Sequence, residues 1–352
     1  MPVALSEEAP FCRKFSSIYD ALDEAKFDES ELRTTLYESQ PTDLPTDRQG
    51  CETIGGYEIY AIDTTPDVRP EAETLEDRIN LKAQKNEPVQ IGQKFSWLAR
   101  LFNQNTSWVA PLDVRRVSSE STDSKIATEQ IQVLAQHNQR PKVIVADSLY
   151  ANAVFLAVFL TVHSIFALVR LRSSANLFEA LEAKKPGSRG VPRKHGAKFK
   201  MSSPRRKPDC TQIFWLGSQQ IRLSAWHKLH FQKLTNLVGF ALQVEFLKAD
   251  GSLRFQRPMW LFWTGAEDIA LQDLCRMYLW RFAIEHAFRF MKQKLGLNAH
   301  WLSSNDKIHK WVWLCALAYW QLLFMREEVE ELSAPWYPVR RDSENKLVVT
   351  PG

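Results

Sequence analysis

Paired cysteines, an export signal and an unbroken apolar span are all missing from this chain. The 352 residues hold five cysteines, Cys12, Cys51, Cys210, Cys275 and Cys315, widely scattered and without a C-x-x-C pair. That usage excludes a disulfide scaffold and a zinc finger, and points to a reducing, cytoplasmic setting. The opening Met1-Pro-Val-Ala-Leu-Ser-Glu-Glu8 lacks the basic region and apolar run of a secretory signal. Ala151 to Val169 comes nearest to a membrane span. Asn152, Thr161, His163 and Ser164 interrupt it, and its period changes near Thr161, as for a buried helix followed by a buried strand. No internal repeat is visible.

The rest is ordinary globular material, 45% hydrophobic and 24% charged, long enough for one large domain or two modest ones with a real core. The net charge of +4 hides an asymmetry. Residues 1–52 carry twelve acids against five bases, so the remainder is strongly cationic. Such polarity matters where the partner is a polyanion.

Residues 1–52 read as a short acidic region of weak helices and a linker, the latter in the turn-rich run 40–50. Tyr57-Glu-Ile-Tyr-Ala-Ile-Asp63 alternates and predicts a strand ending at Asp63. Residues 66–90 are polar and loop-like. Strands are expected over Lys94–Asn103 and Ser107–Val117, then a helix over Ser121–Gln139. Lys142-Val-Ile-Val-Ala-Asp147 is a short continuous apolar run, the mark of a strand buried on both faces, with Asp147 at its end. A helix over Ala151–Leu160 and a strand over Ser164–Arg172 follow. Residues 184–207 hold ten Lys/Arg, His195 and no acid, and read as a flexible basic loop. Several β-rich runs fill Thr211–Thr264, two of them joined by the hairpin turn Lys248-Ala-Asp-Gly-Ser252. Helices are expected over Glu267–Leu297 and Asp306–Leu332.

Within the first of these helices lies the chain's most informative pattern. Tyr278, Arg281, Glu285 and Lys292 fall on a face about 60° wide at about 100° per residue, with Arg289 beside them. A carboxylate bracketed by cations and a phenol suits phosphate and metal chemistry. Intrahelical pairing of Glu285 with Arg281 or Arg289 is the plainer explanation, but it leaves the tyrosine and lysine unexplained. Asp63 and Asp147 at strand ends would each, alone, be a cap or turn residue. Together with Glu285 they form a set of three hard oxygen donors in the order strand, strand, helix.

Here the chain resembles a family. The spacing Tyr278, Arg281, Glu285, Lys292 is similar to the YREK signature of DDE transposases of bacterial insertion sequences. Ala61-Ile-Asp-Thr-Thr65 and Ala146-Asp-Ser-Leu-Tyr150 look like that family's two Asp contexts, and the resemblance runs over roughly residues 55–325. It implies an α/β fold of RNase H-like type, a mixed sheet flanked by helices with a β-strand-rich insertion between the second Asp and the Glu. The expected layout is an N-terminal region over 1–52, the first part of the core over 53–182, basic loop and insertion over 183–264, C-terminal core helices over 265–332, and a tail over 333–352.

The resemblance further implies that Asp63, Asp147 and Glu285 are catalytic acids holding two Mg²⁺, with Mn²⁺ as a substitute, and that Tyr278, Arg281 and Lys292 grip DNA phosphates. It implies hydrolysis at transposon ends, strand transfer into target DNA, terminal inverted repeats as partners, and a homodimer bridging two ends. Arg289 joins the DNA-facing set. Arg170 and Arg172 are candidates of the same kind, evenly balanced against a solvated strand end. The basic loop is expected to track phosphates. Trp280 and the tryptophans of Trp311–Trp320 read as core, Trp301 as the better candidate to touch DNA, and His286 as structural. The acidic N-terminal region is a poor DNA reader, which keeps a second function open: a transposase-derived DNA-binding protein that no longer cleaves. The Tyr-Arg-Glu-Lys stripe argues against a plain nuclease of the same fold.

Overall fold

The computed structural model describes residues 16–40, 53–81, 88–102, 107–137, 139–181 and 193–325, with the two short strands 340–341 and 347–348. The proposed linker after Gln40, the turn 103–106, residues 184–192 of the basic loop and nearly all of the tail lie outside the described residues.

Two helices open the described chain, α1 (Ser16–Glu24) and α2 (Glu29–Glu38). The Asp28 carboxylate caps α2 by accepting from the Ser30 and Glu31 N–H groups. Strands β1 (Thr53–Ile54), β2 (Tyr57–Val68), β3 (Ile79–Leu81), β4 (Gln90–Leu101) and β5 (Val109–Arg116) follow, then α3 (Asp123–Leu134) and β6 (Lys142–Ala146). A short helix α4 (Ala153–Leu156) runs into a 3₁₀ turn (Ala157–Leu160) before β7 (Ile165–Arg170). Then come β8 (Leu177–Glu179), β9 (Lys198–Phe199), β10 (Cys210–Leu216), β11 (Gln219–Phe231), β12 (Leu234–Leu247) and β13 (Met259–Trp263). Helices α5 (Leu271–Trp280), α6 (Phe282–Lys294) and α7 (Asn305–Met325) complete the core.

The strands β5-β4-β2-β6-β7 lie in that order, antiparallel from β5 to β2 and parallel from β2 to β7. This is the RNase H-like mixed sheet that the resemblance implied. Every residue of β6 is buried, as its unbroken apolar run requires. Helix α3 lays Ala127, Ile131 and Leu134 against the sheet, and Gln130 accepts from the Ser96 hydroxyl of β4 at 2.7 Å. Helix α7 packs on β5, where the Trp320 indole donates to the Pro111 carbonyl. Trp311, Trp313 and Trp320 are all core, and so is Trp280. The acidic segment is docked by ion pairs, Lys307 to Asp23 and Arg33 to Asp113.

Three expectations need correction. Strand β2 does not end at Asp63 but continues to Val68, because β4 pairs with it from Tyr60 to Val68. Pro66 is tolerated there: its carbonyl accepts from the Asn298 amide at 3.1 Å, so its missing N–H lies on the edge that β6 no longer covers. The basic segment is not all loop. Lys198–Phe199 forms β9 against β8, and Arg206 is tied to Glu179, Asp209 and the His227 carbonyl. The third concerns the helix 267–297 and belongs with the site.

The β-rich segment extends the same sheet. Strand β13 pairs antiparallel with β7 through Phe262↔Val169 and Trp263↔Leu168, and β12 and β11 continue outward. Gly239 of β12 is required where the strands meet, since a Cβ there would come within 2.0 Å of the Trp263 carbonyl oxygen. The turn after Leu247 makes the expected hairpin, with Leu253 bridging back to Leu247. Among the described residues no helix is long and apolar enough to cross a membrane.

Candidate active site

The parallel pairing of β2 with β6 stops at Ile62↔Ala146. Asp63 and Asp147 are the next residues on the two strands. They leave adjacent backbone positions at the edge where the parallel ladder ends, with neighbouring strands about 4.8 Å apart. Asp147 opens a tight turn, its carboxylate accepting from the Leu149 N–H at 2.7 Å and its carbonyl from the Tyr150 N–H. The Asp63 carboxylate accepts from its neighbour's Thr64 N–H at 2.8 Å.

The third element reaches this edge through a break. The expected single helix is two, α5 and α6, meeting at Arg281. There the N–H of Arg281 reaches back to Tyr278 O, and that of Ile284 to Arg281 O, three residues apart where an α-helix spans four. The tightened turn puts the Arg281 guanidinium between two acids. One nitrogen donates to Asp63 Oδ2 at 2.9 Å and the other to Glu285 Oε1 at 2.5 Å. Arg281 is 5% exposed, whereas the Glu285 side chain keeps 41% of its surface.

The stripe is therefore divided. Tyr278 is buried, with the Arg281 guanidinium 5.8 Å from its ring centroid. Burial raises its pKa, Arg281 and Arg170 opposing. The Phe282 ring lies 5.1 Å from the same guanidinium and is exposed. Lys292 is half-buried toward Asp67, the next acid along β2; burial lowers its pKa and Asp67 opposes that. Arg289 is exposed. Arg170 ends β7 in solvent, and Arg172 donates to the Ser148 hydroxyl at 3.4 Å, beside Asp147. His286 meets the Ser107 hydroxyl, a structural contact.

Electrostatics mark Asp63. Burial pushes it up to about 6; Arg281 and the Thr64 N–H oppose this, and the like charges of Asp147 and Glu285 add to it. A dication would relieve that repulsion, and three carboxylates are the hard donors Mg²⁺ prefers. As they stand, no three His, Cys, Asp or Glu among the described residues are close enough to hold an ion together. The donor chemistry fits a divalent metal, while the Arg281 guanidinium fills the space between Asp63 and Glu285.

Several groups escaped the sequence reading. A cleft of about 300 Å³ beside Asp147 is lined by Ser148, Asn152, Arg172, Asn176, Gln232 and Lys233. Gln232 and Lys233 sit in the β11–β12 turn, where two adjacent β-rich runs were the sole available signal. Asp67 shares a strand face with Asp63, which period-two counting beyond Asp63 would have revealed.

Comparison with known proteins gives one family. The model described as "DDE superfamily endonuclease" matches residues 2–232, a span that includes Asp63 and Asp147 and stops before Glu285. Curated protein sequences return no match. Among solved structures, a piggyBac transposase synaptic complex with hairpin DNA is similar at TM-score 0.38 and 11% identity, over 97% of this chain and 72% of that one. A Mos1 strand transfer complex is similar at TM-score 0.18 and 12% identity, over 46% of this chain and 50% of that one.

Proposed function

The chain belongs to the DDE superfamily endonucleases, and on that footing we propose that it is a transposase of the YREK-signature group of bacterial insertion sequences. Its reaction is cleavage at transposon ends followed by attack of the freed 3′-hydroxyl on target DNA. The observation that supports this reading is that Asp63 and Asp147 lie side by side where the parallel pairing of β2 with β6 stops, with Glu285 joined to Asp63 through Arg281.

Asp63, Asp147 and Glu285 are the residues that would hold divalent metal, Mg²⁺ or Mn²⁺. When bound, such ions supply activation of the attacking oxygen and stabilisation of the leaving one. The chain's own groups do the rest. Arg281 neutralises the acids before metal arrives, and once released from Asp63 its guanidinium is within a side chain's reach of a phosphate at the same edge. The Tyr278 and Phe282 rings both lie within cation–π distance of that guanidinium. Arg170, Arg172, Arg289 and Lys292 surround the edge with positive charge for the DNA backbone. In this reading β9 to β13 belong to the basic loop and insertion over 183–264, residues 53–182 and 265–332 are the catalytic core, and two copies bridge two inverted-repeat ends in the cytoplasm.

The test uses the full chain and duplexes carrying the DNA that flanks its gene, in Mg²⁺ or Mn²⁺. Strand-specific cleavage is expected, lost to background in Asp147→Ala and Glu285→Ala while DNA binding persists. Cleavage by Glu285→Ala at the wild-type rate would remove the third acid from the site. Binding without any cleavage by the wild-type chain would leave the transposase-derived DNA-binding protein as the function.

A further inference from the structure

We propose that β10 is a dimerisation edge, which pairs antiparallel with the β10 of a second copy of this chain across a two-fold axis at Ile213. The inference rests on the two-copy part of the proposed function and names the surface that joins the copies.

An edge strand presents a row of unpaired N–H and C=O groups, and proteins blunt such edges by keeping them short, charged, bulged, broken by proline or covered. The other edge strands of this sheet are blunted in these ways. Strands β1, β3 and β9 are only two or three residues long. Strand β5 carries Pro111, whose carbonyl accepts from the Trp320 indole of α7, and Asp113, which pairs with Arg33 of α2. Strand β10 has none of these devices. Its seven residues, Cys210-Thr-Gln-Ile-Phe-Trp-Leu216, include no charge and no proline, and its ladder to β11 runs without a register shift. Among the described residues no strand pairs with its other side. In an antiparallel ladder about half of a strand's N–H and C=O groups point away from the paired neighbour, so this edge is open to another strand.

The side chains of β10 select the occupant. Phe214 and Leu216 pack against the core, while Ile213 and Trp215 are 55% and 60% exposed. A nucleic acid fits poorly. The strand carries no cation, and Arg222, across the ladder from Ile213, is already paired with Glu245 at 2.8 Å. A copy of the same strand fits well. Self-pairing brings any charge near its own like, and β10 has no charge to repel its copy. A two-fold axis perpendicular to the sheet keeps outward side chains on one face. Centred on Ile213, it sets all seven residues against seven, with Cys210 opposite the other copy's Leu216, Thr211 opposite its Trp215, and Ile213 opposite itself. Each Trp215 ring then reaches diagonally over the paired isoleucines. The assembly closes at two copies, because each open edge is used up by the other.

The experiment is sedimentation of the full chain, free of DNA, in EDTA and a reductant, over a micromolar concentration series. Wild type should be a dimer at the upper end. Ile213→Lys and Ile213→Glu should each be monomeric, with dissociation constants raised at least about tenfold, because like charges meet at the axis. An equimolar mixture of the two should dimerise again, which misfolded variants could not do. On mild oxidation in a Cys210→Ser background, Ile213→Cys should form a disulfide-linked dimer beyond the level of its parent, since directly opposite Cα atoms lie within disulfide reach. Thr211→Cys in the same background is displaced from its own copy by about 13 Å along the strand and should not. A wild type that stays monomeric, or an Ile213→Lys chain that dimerises as wild type does, refutes the pairing. Strand-specific cleavage of end DNA by such a chain would leave the proposed function standing without this surface. A wild type that dimerises as expected but cleaves no DNA would support the pairing and remove the transposase.

Discussion

Replacing Asp63 by Asn should stabilise the protein at neutral pH, and the size of the effect follows from the site. Burial, with the like charges of Asp147 and Glu285, raises this carboxyl from 3.8 to about 6 despite Arg281. In the unfolded chain it titrates near its ordinary value. Between about pH 4 and about pH 6 the folded state therefore holds a proton that the unfolded state has lost, and stability declines as pH rises through that window. A shift of about two pH units at about 1.4 kcal/mol each makes ionised Asp63 cost about 3 kcal/mol above pH 6. Asparagine has the shape of the protonated acid and carries no charge. Wild type and Asp63→Asn should thus be nearly equal in stability at pH 4, with the variant ahead by about 3 kcal/mol at pH 7.5. Urea unfolding in EDTA measures this, provided the slope with denaturant is unchanged. Taking the difference between the two proteins removes the titration of every other carboxylate. A difference that is flat with pH, or a variant less stable at pH 7.5, would refute the assignment of Asp63 as a strained, partly desolvated acid held for its chemistry.

Two other outcomes are expected. Lys292→Ala should weaken DNA binding about equally across sequences and reduce the slope of log affinity against log salt by about 1, measured by anisotropy between low and moderate salt; an unchanged slope would remove Lys292 from the phosphate contacts. Gly239→Ala should destabilise by more than about 3 kcal/mol in the same urea assay, because its Cβ would come within 2.0 Å of the Trp263 carbonyl on the neighbouring strand.

What could be read in the sequence was local, and what could not was long-range. Strand β6 announced itself because burial on both faces leaves an unbroken apolar run, and the tryptophans of α7 because their neighbours are apolar too. Thr64-Thr65-Pro66-Asp67 has no apolar alternation, so the sequence alone ends β2 at Asp63; its last residues are held by pairing with β4, which period counting along one strand cannot see. Leu279-Trp280-Arg281-Phe282-Ala283 contains nothing that breaks a helix. The tightened turn at Arg281 accompanies the pairing of its guanidinium with Asp63, a residue far away in the chain. Angular counting put Tyr278, Arg281 and Glu285 together, as they are, but could not say that Tyr278 would face inward. The joining of β7 to β13 through Leu168 and Trp263, and of Asp67 to His300, rests on contacts with no local signature at all.

The pairing of β7 with β13 has a mechanical consequence. Strand-to-strand ladders link β11, through β12, β13 and β7, to β6, whose last residue precedes Asp147, with register shifts in the β11–β12 ladder between Trp226 and Phe231. A load applied to the outer strands is borne in shear by successive ladders. Displacement of the β11–β12 turn, where Lys233 stands over the cleft beside Asp147, would therefore be felt as tension at the end of β6. Whatever pulls on this extension also tugs on the second acid.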